Sequence, residues 1–171
     1  MREAFGTIIA IVLVVLAMFL TPMMNNANKE DQITQDLVYT EVADFVQQVQ
    51  LNGFISQDMY NEFTKKLSDT NLLYTVEMTH AHDVVMPVFN EAGDAVTGTK
   101  VVKSTVYEDD ILEGVFDKDG IYYFETGDHF SLTVKNKNRS LAQRLNTLIT
   151  GSSIKYSVVA TYGATIRNEN Y

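Results

Sequence analysis

The chain has 171 residues, a mass of 19.2 kDa and a net charge of −9, with 46% hydrophobic residues. This is enough for one real core, and no linker or repeat marks a second domain. The acidity excludes a nucleic-acid partner, which would require clustered Lys and Arg, and the absence of cysteine excludes disulfides, thiolate zinc sites, iron–sulfur clusters and cysteine nucleophiles.

The charge is not spread evenly. Residues 4–28 carry none, and Arg2 and Glu3 cancel, so the whole −9 falls on residues 29–171. Within Phe5 to Met24, Ile8 to Leu20 is an unbroken run of thirteen apolar residues. About twenty such residues in a helix span about 30 Å, the thickness of the bilayer's hydrocarbon core. A cleaved signal peptide fits poorly, because Arg2 is opposed by Glu3 and Leu20-Thr21-Pro22-Met23 lacks a small-x-small cut site. All-round apolarity also argues against a buried core helix. We therefore expect a membrane-spanning or filament-core helix over 1–28 and an acidic α+β domain over 29–171. The distal flank is acidic at Glu30 and Asp31, so the positive-inside rule puts the N-terminus in the cytoplasm and 29–171 outside. Pro22 removes one backbone donor and is expected to kink or locally open the helix, or to mark its exit from the membrane.

Beyond the apolar run, Ile33, Leu37, Val38, Val42, Phe45, Val46 and Val49 recur at spacings of three and four, which predicts an amphipathic helix over 31–50. Asn52-Gly53 ends it, with Gly53 suited to a left-handed cap. Ser56 caps a short second helix carrying Met59, Tyr60, Phe63 and Leu67, and Lys65 and Lys66 suit its negative end. From Tyr74 the period becomes two. Strands are predicted near Tyr74–Met78, Val84–Phe89, Val101–Tyr107, Ile111–Phe116, Ile121–Glu125, Phe130–Val134 and Ile154–Ile166. Turns are expected at 90–94, 117–120 and 126–128. One inserted helix starts at the capping box Ser140-x-x-Gln143 and ends at Gly151, with Leu141, Leu145, Leu148 and Ile149 as its apolar stripe. The predicted class is α+β: a long N-terminal apolar and amphipathic helix, then a mostly antiparallel β-rich head with one inserted helix.

Candidate chemistry is sparse. His80 and His82 lie two apart on a predicted strand and so face one side, Asp83 follows, and His129 stands beside Asp128. Two imidazoles and a carboxylate suit zinc, but the spacing fixes no third ligand, and polar alternation on a solvent face accounts for all three histidines. Asp117-x-Asp119-Gly120 opens like a calcium loop but lacks the closing glutamate, since Asp128 occupies that position. Glu108-Asp109-Asp110 reads as a solvated loop. There is no nucleophile elbow, phosphate-binding glycine loop or metalloprotease helix, and Ser140 is accounted for as a cap. No enzyme activity, cofactor or metal is expected.

The plan over roughly the first 50 residues resembles the type IV pilin superfamily, including Tad-type pilin-like proteins. There a glutamate precedes an unbroken apolar stretch that runs into an amphipathic helix and a β-rich head, often with a proline where Pro22 stands. The corresponding residues here are Glu3, Phe5, Ile8 to Leu20, Pro22 and the stripe from Ile33 to Val49. Glu3 stands slightly earlier than the family's glutamate. A leader removed ahead of Met1 and a chain not processed by a prepilin peptidase both fit the sequence. The resemblance implies a filament subunit, with Glu3, Phe5, Pro22, Ile33, Leu37, Val42 and Phe45 as assembly residues. Its expected partners are copies of itself, the membrane during biogenesis and pilus assembly machinery. The alternatives are a monomeric membrane-anchored extracellular binding domain and, resting only on the histidines, an anchored metal-dependent enzyme.

Overall fold

A computed structural model describes residues 2–89, 96–117, 120–151 and 159–167, with the side chains of residues 2, 3, 89, 97 and 159 set aside. The expected turn at 90–94, the centre of the turn at 117–120 and the predicted strand before residue 159 lie outside the described residues.

The first element is a single helix, α1, over Arg2–Asn52. At 1.5 Å per residue it is about 75 Å long. The apolar segment and the amphipathic helix expected at 31–50 are thus one rod, and Pro22 sits inside it without ending it. Near the proline, the Thr21 hydroxyl donates to the Ala17 carbonyl at 2.8 Å. Gly53, at φ 74°, stops the rod, and its N–H returns to the Val49 carbonyl at 2.8 Å.

Strand β1 (Phe54–Ser56) leads to α2 (Gln57–Ser68), whose Ser56 cap accepts from the Met59 N–H and whose last turn holds Lys65 and Lys66. Strands β2 (Tyr74–Phe89) and β3 (Val96–Tyr107) follow. The two runs expected at 74–78 and 84–89 are therefore one long strand. Next is α3 (Glu108–Phe116), which corrects two expectations: a loop at 108–110 and a strand at 111–116. Glu108, Asp109 and Asp110 occupy its first turn, where the helix dipole favours negative charge. Ile111 and Val115, four apart, bury one helical face.

Strands β4 (Ile121–Tyr123) and β5 (His129–Asn136), helix α4 (Leu141–Thr150) and strand β6 (Val159–Thr165) complete the chain. The Ser140 cap on α4 is present, with its hydroxyl accepting from the Gln143 N–H, and Gly151 takes the left-handed conformation at the other end. The expected stripe of α4 faces mostly outward, with only Leu145 half-buried. Ala142 and Gln143 are buried, whereas Leu141, Leu148 and Ile149 are exposed. Ser140 anchors this corner to the rod by donating to Asp31 Oδ2 at 2.6 Å.

The main sheet has the order β3-β2-β5-β6, and every pairing is antiparallel. A two-stranded sheet joins β1 to β4. The rod lies on β5 and β6. Val38, Val42, Phe45, Val46 and Val49 of α1 meet Phe63 and Leu67 of α2, Ile111 and Val115 of α3, and the inward row Phe130, Leu132 and Val134 of β5. Phe45 stacks on Phe63 at 4.6 Å between ring centroids. The head is thus built around the last four turns of the helix, in an α+β architecture.

Candidate functional site

Two features stand apart from ordinary packing: the apolar end of α1, and a buried histidine–carboxylate cluster under the sheet.

Every described side chain from Ala4 to Phe19 is exposed. The helix reaches a mean hydropathy of 2.7 over its most apolar 18 residues and is long and apolar enough to cross a membrane. Eleven of the side chains from Ala4 to Phe19 are large hydrophobics, Phe5 and Met18 among them. Full burial of each would be worth ~1.5–3 kcal/mol, on the order of 20 kcal/mol together. The exposed apolar surface does not stop at the rod, since Ile149 of α4 borders a shallow groove with Ala17, Leu20, Thr21 and Met24. Of the expected assembly residues, Phe5 is 68% exposed, and Ile33 and Leu37 also face outward. Val42 and Phe45 do not: both are enclosed in the head core, because the sheet packs on their side of the helix. Glu3 lies within the helical span, ahead of the exposed run.

The cluster forms because β2 carries Tyr74, Val76, Met78, His80 and His82 on alternate positions of one face, and that face turns toward the core. His80 is buried and His82 half-buried at its margin. The expectation of a solvent-facing pair fails for this reason: His80 is in phase with the buried Met78. Asp128, 4% exposed, comes from the turn before β5. Gly127, at φ 101°, makes that turn, and Asp128 is held by its backbone N–H to the Glu125 carbonyl at 3.1 Å and by its own carbonyl, which accepts from Ile166 at 2.8 Å.

Two imidazoles converge on this one carboxylate. His80 Nε2 lies 2.7 Å from Asp128 Oδ2, and His82 Nδ1 lies 2.6 Å from Oδ1. The Glu125 N–H donates to Oδ2 at 2.8 Å. On the far side of His80, Nδ1 meets the Tyr122 hydroxyl at 2.8 Å. Tyr122 is brought there by the pairing of β4 with β1. It packs so tightly on Gly114 of α3 that a Cβ at that glycine would lie 2.7 Å from the Tyr122 ring. Phe124 closes the cluster edge-on to His80 at 4.7 Å.

Burial alone would push the Asp128 carboxyl up, but hydrogen bonds from His82, the Glu125 backbone and His80 outweigh it and hold the group below the ordinary carboxylate value. The hydrogen bond to Asp128, followed by its negative charge, raises His82. Burial, then Asp128 and Asp110, raises the Tyr122 hydroxyl.

His129 is not part of this group. It is exposed and lies against Gly163 on the outer face, where a Cβ on that glycine would come within 3.2 Å of its Nε2. Two of the three candidate histidines are thus brought together and the third is not, because His129 alternates with the buried Phe130. Sequence reasoning does not single out Tyr122, and it names Asp128 only beside His129 and at the end of the Asp117 loop, not with His80 and His82. The available signal was the parity of His80 with Met78, which implies a buried imidazole in need of polar partners.

No protein-family model, no curated protein and no solved structure matches the chain. The architecture itself, a long N-terminal apolar helix followed by an antiparallel-sheet head, is compatible with a pilin-like fold.

Proposed function

We propose that the chain is a structural subunit of an extracellular pilus-like filament, assembled from copies of itself through the apolar end of α1. The observation that carries this reading is the uncovered run from Ala4 to Phe19 on a helix whose other end is locked into a folded head. Such a rod needs an apolar surround, and either a bilayer or a bundle of identical helices supplies one. The subunit would wait in the cytoplasmic membrane with 29–171 outside, and assembly machinery would move it into the filament. No catalytic step is assigned to it.

Glu3 distinguishes the two surroundings. In a lone anchor it sits at the aqueous interface. In a lipid-free bundle it needs a cation, and Arg2 or the terminal amine of a neighbouring copy provides one. Removing one partner of a buried pair costs ~3–5 kcal/mol, repeated at every subunit. The test is electron microscopy of material sheared from cells producing the wild-type chain or Glu3→Ala. Filaments of a 19.2 kDa subunit in the wild type, lost in a mutant that still reaches the membrane, are the expected result. Wild-type protein found only in membranes would favour a monomeric anchored binding domain. Filaments of normal number and length from Glu3→Ala would remove the role given to Glu3.

A further inference from the structure

We propose that His80, His82 and Asp128 form a site for one divalent transition-metal ion, with zinc(II) the best match to the donors. Their ligating atoms lie within 4.8 Å of one another. Two imidazoles and one carboxylate make a borderline nitrogen–oxygen set, which suits zinc. Calcium and magnesium require all-oxygen surrounds, and copper(I) prefers sulfur.

The surroundings are those that a metal centre needs. Ligating histidines are normally fixed through their second ring nitrogen, and ligating carboxylates through their second oxygen. Tyr122 meets His80 Nδ1, leaving Nε2 for the ion, and the Glu125 N–H holds Asp128 Oδ2, leaving Oδ1 for the ion. The direct His82 Nδ1–Oδ1 contact of 2.6 Å is shorter than the roughly 3.3 Å between neighbouring ligands of a tetrahedral zinc. Loading the site therefore asks the His82 ring to move outward from Asp128. His82 allows this, because its side chain is 34% exposed and forms the solvent-facing edge. The same edge leaves a coordination position for water or for a group from another molecule.

The location gives the ion structural work. Ala81 paired with His129 is the last pairing of β2 with β5; beyond it β2 continues to Phe89 paired with β3. An ion held by His80, His82 and Asp128 would clamp the root of this hairpin to the turn before β5. Holding the ion requires no filament assembly.

The test uses the full chain in detergent, without a histidine tag, stripped with chelator and titrated with cobalt(II) and then zinc(II). One cobalt per chain is expected, with the intense visible bands of four- or five-coordination, displaced by zinc. Zinc should also raise the thermal midpoint of the head relative to chelator. Tyr122→Phe should weaken binding by about 10- to 100-fold, the usual cost of losing an outer partner. His82→Ala should abolish stoichiometric binding, with His82→Gln as a second variant that preserves bulk at the edge. His129→Ala should bind as the wild type does. Pale six-coordinate cobalt bands with an unmoved midpoint in the wild type would overturn the site, as would wild-type affinity in both His82 variants.

Discussion

The two ends of α1 are equally continuous as helix and opposite in surroundings. Between Val38 and Val49 the hydrophobic positions are spaced by three and four, polar residues fill the gaps, and the head covers one side completely. Between Ala4 and Phe19 the apolar residues go all the way round, and every described side chain is exposed. A periodic stripe is matched by a fold from the same chain. An all-round surface cannot be, because a head on one side would leave the others bare. The rod therefore links a packed head to a segment whose apolar side chains are uncovered on every side.

The comparison breaks most visibly with a charge on the covered end. Val46→Asp puts a carboxylate where the native side chain is fully enclosed, and the head should fail to fold, seen as loss of the cooperative thermal transition by circular dichroism. Phe45→Ala removes the ring stacked on Phe63 and should cost about 3–5 kcal/mol by denaturant titration. At the other end the same kind of change should leave the head alone. Leu13→Asp should keep the head's thermal midpoint but weaken membrane partitioning by about 2.5–3.5 kcal/mol, read by fractionation. Deleting residues 5–24 should go further and release a soluble, folded domain from about Lys29 onward. An unfolded truncation product would show that the apolar end belongs to the head after all.

How legible this was in the sequence depends on the range of the interactions involved. The helical stripe, the Ser56 and Ser140 caps and the stops at Gly53 and Gly151 are local, and each is where the spacing puts it. Apolar content alone reads Ile111 to Phe116 as a strand, where the chain forms a helix. Ile111, Leu112, Val115 and Phe116 are in fact spaced for a helix, and the three acids before them mark its start. The outward stripe of α4 was illegible for another reason. Which face a short helix buries is set by where Asp31 and the rod hold Ser140, a contact across more than a hundred residues. The histidine cluster was half legible: the pairing of His80 with His82 follows from alternation, but Asp128 and Tyr122 arrive through tertiary pairing of strands.

The smallest expected effect on the head is the most informative about assembly. Ile33 is 69% exposed and Leu37 is 45% exposed, on the same helix as the buried Val38 and Val42 but on its outward side. Replacing both with Ser removes no core contact, so the head's stability should change by no more than about 0.5 kcal/mol per site. Insertion should also survive, because both residues lie C-terminal to the apolar run. In a lone anchor nothing further would happen. In a filament these two side chains extend the apolar surface of Ala4 to Phe19 toward the heads, where neighbouring rods meet, and large aliphatic anchors at such a contact carry much of its energy. Ile33→Ser with Leu37→Ser should therefore give normal amounts of folded, membrane-located protein and few or no filaments by electron microscopy. Undiminished filaments would confine the assembly contact to the apolar end, leaving Ile33 and Leu37 as ordinary exposed residues.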